Sequence, residues 1–255
     1  MDRAFLYGDR FFDTIIYRNR QIEFWKYHLE RIRASAQVLY FENIATKSEH
    51  EWLQEIDCIL ELRHLKNQTC RIRIVAFREE GGFYRPEKKQ ARYLIEIQVM
   101  DFFPSSIVEK VDFARTVQTY YTCYSPYKIH TIPYVLAGIE ANERNLDDLI
   151  LTSPQGYISE AISSNLFWYY NGIFYTPLLE TGCVAGVVRR AILEYFKSKK
   201  IPFQEIACKR DFFLNAEHIW FVNVTGIRNV RRIMECEYTV KPFPIQFGEL
   251  LAALS

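Results

Sequence analysis

The chain has 255 residues, is 49% hydrophobic and 25% charged, and carries a net charge of +1 at pH 7. That length can bury two modest α/β cores or one large one. The balanced charge supplies no global field to recruit nucleic acid or an anionic membrane, so neither is an expected partner and any anion site must be local.

A strand is predicted over 12–17 and a helix over 23–40, where Trp25, Leu29, Ile32, Ala36 and Leu39 recur at helical spacing. Ser48 is placed to cap a second helix running to residue 65. Cys70, Ile72, Ile74 and Ala76 alternate as one face of a strand, residues 94–100 supply its partner, and Gly81-Gly82 turns between them. Phe103-Pro104-Ser105-Ser106 ends this unit, because Pro104 cannot donate to a ladder and constrains its predecessor. The division is an N-terminal α+β domain over 1–106 and a C-terminal α/β sheet domain over 107–255.

The second part opens with a predicted strand over 111–119, followed by a helix with Pro133 in its first turn and a body reaching about residue 142. Short strands are read over 149–152, 157–159 and 165–170, and Asn171-Gly172 is the strongest hairpin signal in the chain. Gly186 begins a helix to about residue 196. Strands over 201–208 and 219–224 follow, the second ending at Thr225-Gly226.

The six cysteines, at 58, 70, 123, 183, 208 and 236, form no C-x-x-C pair or metal spacing. They read as small reduced core residues of a cytoplasmic chain, with no metal site expected. The opening MDRAFLYGDR has neither leader nor transit-peptide composition, and no stretch approaches the roughly 18 apolar residues of a membrane helix.

The chemistry concentrates in a few residues. Lys128, just before a helix, offers an amine nucleophile; Glu160, in a short strand followed by Ser163-Ser164-Asn165, offers a carboxylate. With an Arg31-bearing helix and a glycine-opened helix at Gly186, these are the parts that hold a phosphate-bearing aldehyde cofactor.

FLYGDRFFDT followed by HLERI, then IPYVLAGIEA, GYISEAISSNLFWYYNGIFYTP and TGCVAGVVRR resemble, in that order and over nearly the whole chain, the class IV aminotransferase family. This is the pyridoxal phosphate group of fold type IV, with D-amino-acid and branched-chain transaminases and aminodeoxychorismate lyase. The resemblance implies two α/β domains, pyridoxal 5′-phosphate as cofactor, a small amino substrate and a homodimer. Family members generally begin with a further strand and turn before the residues resembling 2–8, so an altered edge is expected here.

By the same resemblance Lys128 forms the Schiff base to the cofactor and then moves the proton at the substrate carbon. An ungapped comparison anchored on Pro133 places the family lysine at Tyr127, so Lys128 requires one lost residue or a backbone bulge. Glu160 is implied to receive the protonated ring nitrogen, and Arg31 to reach the phosphate. Ser163, Ser164 and Asn165 are implied to bind phosphate or the turn backbone, the other reading being ordinary turn residues. Gly186, Val187 and Val188 open a helix toward the phosphate with main-chain N–H groups. The family often has threonine where Val188 stands, so Thr225 and Gly226 are expected to compensate.

Phe12, Arg78, Tyr84 and Tyr124 are the candidate substrate contacts. Phe12 occupies a position where some members carry tyrosine, which argues against copying a hydroxyl-based specificity. The leading function is a lyase releasing pyruvate and 4-aminobenzoate from aminodeoxychorismate; the alternatives are branched-chain or D-amino-acid transamination and, from another class, a binding scaffold that lost its chemistry.

Overall fold

A computed structural model describes residues 3–101 and 105–252 of the chain. They fall into two compact units, Met1–Phe102 with Tyr127–His130, and Phe103–Pro126 with Thr131–Ser255. No helix among the described residues is long and apolar enough to cross a membrane.

The first unit contains α1 (Arg3–Tyr7), β1 (Arg10–Arg18), β2 (Gln21–Ile22), α2 (Trp25–Val38), α3 (Glu42–Thr46), α4 (Glu49–Leu62), β3 (Cys70–Arg78) and β4 (Ala91–Val99). Its four strands form an antiparallel sheet in the order β2-β1-β3-β4. The alternation read in β3 is real: Cys70, Ile72, Ile74 and Ala76 are buried, and Arg78 continues the same inward face. Ile32, Trp52 and Ile56 pack over that face. Ser48 caps α4 as expected, its hydroxyl accepting from Glu51 N–H at 3.2 Å while its own N–H donates to Glu51 Oε2 at 2.8 Å. The helix ends at Leu62, short of residue 65.

The second unit contains β5 (Ser105–Val108), β6 (Val111–Phe113), α5 (Ile132–Glu143), β7 (Asp148–Thr152), β8 (Ile158–Ala161), β9 (Asn165–Tyr170), β10 (Ile173–Pro177), α6 (Val187–Ser198), β11 (Phe203–Ile206), α7 (Arg210–Leu214), β12 (His218–Asn223), β13 (Gly226–Val230), β14 (Arg232–Ile233), β15 (Cys236–Glu237) and α8 (Phe247–Ala252). Six strands run in the order β11-β10-β9-β12-β13-β5, and five in the order β15-β14-β6-β7-β8. The hairpin at Asn171-Gly172 joins β9 to β10, both residues having the positive φ (48° and 81°) that a tight primed turn demands.

Three further expectations change. The strand over 111–119 stops at Phe113: Ala114 N–H still meets Ile150 O at 2.9 Å, but those of Arg115 and Thr116 leave the ladder and donate to the buried Glu140 carboxylate at 3.0 Å. Thr119 is held instead by Thr152 O at 3.0 Å and, through its hydroxyl, by Thr181 O at 2.8 Å, close to Gly182, where an added Cβ would lie 2.9 Å from the Tyr120 backbone. Ser105 and Ser106, read as the end of the first unit, belong to β5 and pair in parallel with Ile227 and Arg228; Phe103 and Pro104 lie outside the described residues. Cys70, Cys183 and Cys208 are buried as expected, but Cys58 and Cys123 are exposed and Cys236 is half-buried.

Candidate active site

The first unit sets His28 and Arg31 around an acid that sequence reasoning missed, and Lys128 against Phe12 of the same strand. Asp13 sits among apolar residues of β1 and is 2% exposed. Ionised at such a site, it needs partners. Arg31 supplies two, from Nε to Oδ2 at 2.7 Å and from Nη2 to Oδ1 at 2.9 Å. His28 Nδ1 lies 2.6 Å from Oδ1. The two come from adjacent turns of α2, three residues apart on one face. That spacing opposite an acid in an apolar strand was the available signal.

Burial would raise the Asp13 carboxyl, but the neighbouring Arg31 charge and His28 hold it well below the usual carboxylate range. Burial pushes His28 below its ordinary value against the opposing pull of Asp13, with Arg31 and Lys128 adding to the lowering. A neutral imidazole donating through Nδ1 to an ionised Asp13 satisfies both directions. Its Nε2 is buried with no hydrogen-bond partner among the described residues.

Lys128 is tied to β1 by its carbonyl, which accepts from Phe12 N–H at 3.3 Å, and its Nζ stands 5.3 Å from the centre of the Phe12 ring. The backbone tightens there, Ile129 N–H meeting Tyr127 O at 2.9 Å. Phe12 is thus brought beside the candidate nucleophile.

In the second unit Glu160 lies on β8 and is 3% exposed. Its Oε1 accepts from the Tyr134 hydroxyl at 2.6 Å and from Val184 N–H at 3.1 Å. Tyr134 projects from α5 and was not read as functional. Burial and then the adjacent Glu160 push its phenol well above its ordinary pKa, so it remains a protonated donor.

The same loop fixes Asn165. Its Nδ2 donates to Val184 O at 2.8 Å, and its Oδ1 lies 1.9 Å from where a Cβ on Gly186 would stand. Gly186 is therefore required by close approach, and it begins α6 without a side-chain cap or an acidic residue in the first turn. Val187 and Val188 are buried, so this helix start presents main-chain N–H groups rather than a hydroxyl.

Beside it, Asn223 links the remaining candidates. Its Nδ2 donates to Ser163 O and Ser164 Oγ, each at 3.1 Å, and its Oδ1 accepts from Thr225 N–H at 2.8 Å and the Thr225 hydroxyl at 2.6 Å. Arg228 Nη2 reaches Ser164 Oγ at 3.1 Å and Asp148 Oδ2 at 2.8 Å. Gly226, at φ 139°, opens β13 immediately after Thr225. Asn223 and Arg228 were missed because their partners are distant in sequence. The pairing of β9 with β12, Asn165 opposite Val222, brings them together.

The remaining proposed substrate contacts stand in different local settings. Arg78 is 4% exposed and tied to Asp9 Oδ2 at 3.0 Å, Lys88 O at 2.6 Å and Leu39 O, with its guanidinium 4.7 Å from the Phe41 ring. These ties hold the 78–90 loop, so Arg78 is placed as a structural arginine rather than as an open carboxylate receptor. Tyr84 is 88% exposed with its ring 5.2 Å from Tyr7, and Tyr124 is 40% exposed. No group of His, Cys, Asp and Glu suited to a metal occurs among the described residues.

Residues 10–233 match the amino-transferase class IV family, so the chain belongs to that family. Aminodeoxychorismate lyase of Vibrio harveyi is 27% identical over 96% of this chain and 90% of its own, and that of Bacillus subtilis 28% identical over 99% and 85%. Among solved structures, branched-chain amino acid aminotransferase of Escherichia coli superposes with a TM-score of 0.86 at 20% identity, covering 98% of this chain and 89% of its own. The 4-amino-4-deoxychorismate lyase of Pseudomonas aeruginosa superposes with a TM-score of 0.78 at 20% identity, covering 94% and 88%. The fold is that of the type IV pyridoxal phosphate enzymes, and the family depends on pyridoxal 5′-phosphate.

Proposed function

We propose that the chain is a cytoplasmic, homodimeric 4-amino-4-deoxychorismate lyase that releases pyruvate and 4-aminobenzoate. One observation carries the choice of reaction: both lyase relatives align with nearly the entire chain. An exposed apolar stripe on α5, formed by Ile132, Val135, Leu136 and Ile139, supports an assembly of two copies.

The residues suit the cofactor. The buried Glu160 carboxylate matches a cationic ring nitrogen, and the uncapped start of α6 matches a phosphate. When bound, pyridoxal phosphate supplies an aldehyde for covalent attachment of an amine and a ring that accepts electrons from the neighbouring carbon.

Lys128 would anchor the aldehyde, and once displaced its amine would take the proton from the amine-bearing carbon of the substrate and return one to the departing three-carbon fragment. Arg31, Gly186, Val187, Val188 and the Thr225-Gly226 turn would hold the phosphate, the last with Ser163, Ser164 and Asn165 shaping it. Arg31 is kept in orientation by Asp13. The Phe12 ring would exclude water on the Lys128 side.

Purified protein loaded with the cofactor is given aminodeoxychorismate with no keto acid. Formation of 4-aminobenzoate and pyruvate in equal amounts is expected. Failure of that reaction, with conversion of the bound cofactor by branched-chain or D-amino acids and its regeneration by a keto acid, replaces the lyase by an aminotransferase.

A further inference from the structure

The contact between Tyr134 and Glu160 has a chemical role that packing does not require. A phenol buried beside a carboxylate needs only some acceptor, yet here it shares a single oxygen, Oε1, with the Val184 N–H, at 2.6 and 3.1 Å. Two donors converging on one oxygen fix the plane of the carboxylate, since rotation about the terminal bond would break both. Neither bond uses Oε2. They come from separate elements, α5 and the segment ahead of α6, so the carboxylate is braced from two sides.

The second effect is electrostatic. Hydrogen bonds to an ionised carboxylate stabilise the charged form and make it a weaker base. If Glu160 faces the pyridine nitrogen, the shared proton then stays on the ring, where it makes the ring the stronger electron acceptor. Tyr134 and Cys183 are titratable groups that feel Glu160 directly. The Cys183 thiol is pushed up to about 12 by burial first and then by Glu160, so it adds no charge near neutrality.

We propose that Tyr134 is a positioning residue for the cofactor ring: its hydroxyl, together with the Val184 N–H, orients the Glu160 carboxylate and keeps it the weaker base of the carboxylate–pyridine pair. This rests on the assignment of Glu160 to the ring nitrogen. The hydroxyl acts without touching the substrate, and its loss reads out in the cofactor before it reads out in turnover.

The test uses cofactor-loaded wild type, Tyr134→Phe, Glu160→Gln and the double variant, with visible absorbance followed from pH 5 to 10. Tyr134→Phe is expected to raise the midpoint of the spectral transition by about one unit, because a ring with less positive charge lets the cofactor keep its remaining proton longer. It is expected to lower kcat about tenfold with KM changed less than twofold, the loss belonging to the reaction step. Glu160→Gln shifts the spectrum more, and adding Tyr134→Phe to it changes nothing further. Replacing Tyr134 by 3-fluorotyrosine, a stronger donor of nearly the same shape, moves the midpoint the opposite way and keeps the test decisive if the phenylalanine variant does not fold.

An unchanged midpoint in both Tyr134 variants while Glu160→Gln moves it overturns the role of Tyr134 and leaves Glu160 standing. An unchanged spectrum in Glu160→Gln overturns the assignment of Glu160 and this inference with it. A loss of thermal stability or a rise in KM with no spectral shift makes Tyr134 merely structural.

Discussion

Replacing Gly186 by alanine tests whether close approach, rather than backbone freedom, explains that residue. Its φ of −66° is open to any residue, so an alanine suffers no strain from the dihedral. The added Cβ would lie 1.9 Å from Asn165 Oδ1. Ordinary contact for such atoms is about 3.4 Å, so one of them must retreat by about 1.5 Å. Asn165 is 6% exposed and pinned by the 2.8 Å bond from its Nδ2 to Val184 O, which swinging the amide breaks.

Leaving that carbonyl or the amide unsatisfied costs about 2 kcal/mol. For a chain of this size the loss corresponds to a fall in Tm of about 4–8 °C in the cofactor-free protein. Cofactor affinity falls as well, because Val184 N–H also holds Glu160 and Gly186 sets the start of α6. Gly138→Ala is the internal control: that glycine lies within α5 with nothing within 4 Å of a new Cβ, and it should be neutral or slightly stabilising. Calorimetry of both variants, with cofactor titration by fluorescence, decides the matter. A Gly186→Ala protein as stable as wild type and as tight for the cofactor would refute the reasoning.

Lys128→Ala should retain cofactor only reversibly and lose nearly all turnover, and borohydride reduction of wild type followed by peptide mass analysis should place the adduct on Lys128; an adduct elsewhere rejects the assignment. Asp13 is depressed in the folded state, so its stabilisation is present above the unfolded carboxyl range and lost as pH falls through and below it. His28, also lowered, is neutral when folded and costs stability as pH drops below its ordinary value of 6.5, so chemical denaturation from pH 7 to 4 should show falling stability, and less of a fall in His28→Gln. Burial raises Glu140, but bonds from Thr116, Arg115 and Arg144 outweigh it and hold the carboxyl at about 2, so a further loss begins near 4.5 and continues toward 2. A thiol reagent at neutral pH should label Cys58 and Cys123 in the native protein and spare Cys183 and Cys208, the latter two being buried with pKa values of about 12; rapid labelling of either buried thiol contradicts this packing.

The legible parts of the fold were those specified locally. Ser48 with Glu51, the alternation from Cys70 to Ala76 and Asn171-Gly172 each carry their instruction within a few residues. The strand over 111–119 failed because its β-forming residues were outcompeted by Glu140, a side-chain acceptor from a helix well downstream. β5 went unread for a related reason: it exists through parallel pairing with β13, more than a hundred residues later, and no local pattern encodes such a partner. Arg78 was recoverable. The alternation that buries Ile72, Ile74 and Ala76 places it on the same inward face, so its guanidinium had to find interior acceptors.

Asp13 and Asn223 carry a more general point about buried polar groups. Each lies on a strand, and each collects donors from segments that sequence order keeps apart: Arg31 and His28 for Asp13, and the 163–164 and 225 turns around Asn223. The side chains a cofactor would meet are thereby held by residues that need not meet it. Removing such a support takes a partner from a buried charge or amide, so its effect should exceed that of deleting an exposed candidate contact such as Tyr84. Asp13→Asn makes the comparison sharp: it keeps the volume and one acceptor oxygen but removes the charge opposite Arg31. The buried Arg31 charge would then face a neutral amide where Asp13 stood, raising the free energy of the empty protein and increasing its affinity for any anion, inorganic phosphate included. Tighter phosphate binding together with a lower Tm is the joint outcome that this arrangement demands. A variant that loses stability without gaining phosphate affinity would place Arg31 in the structure alone.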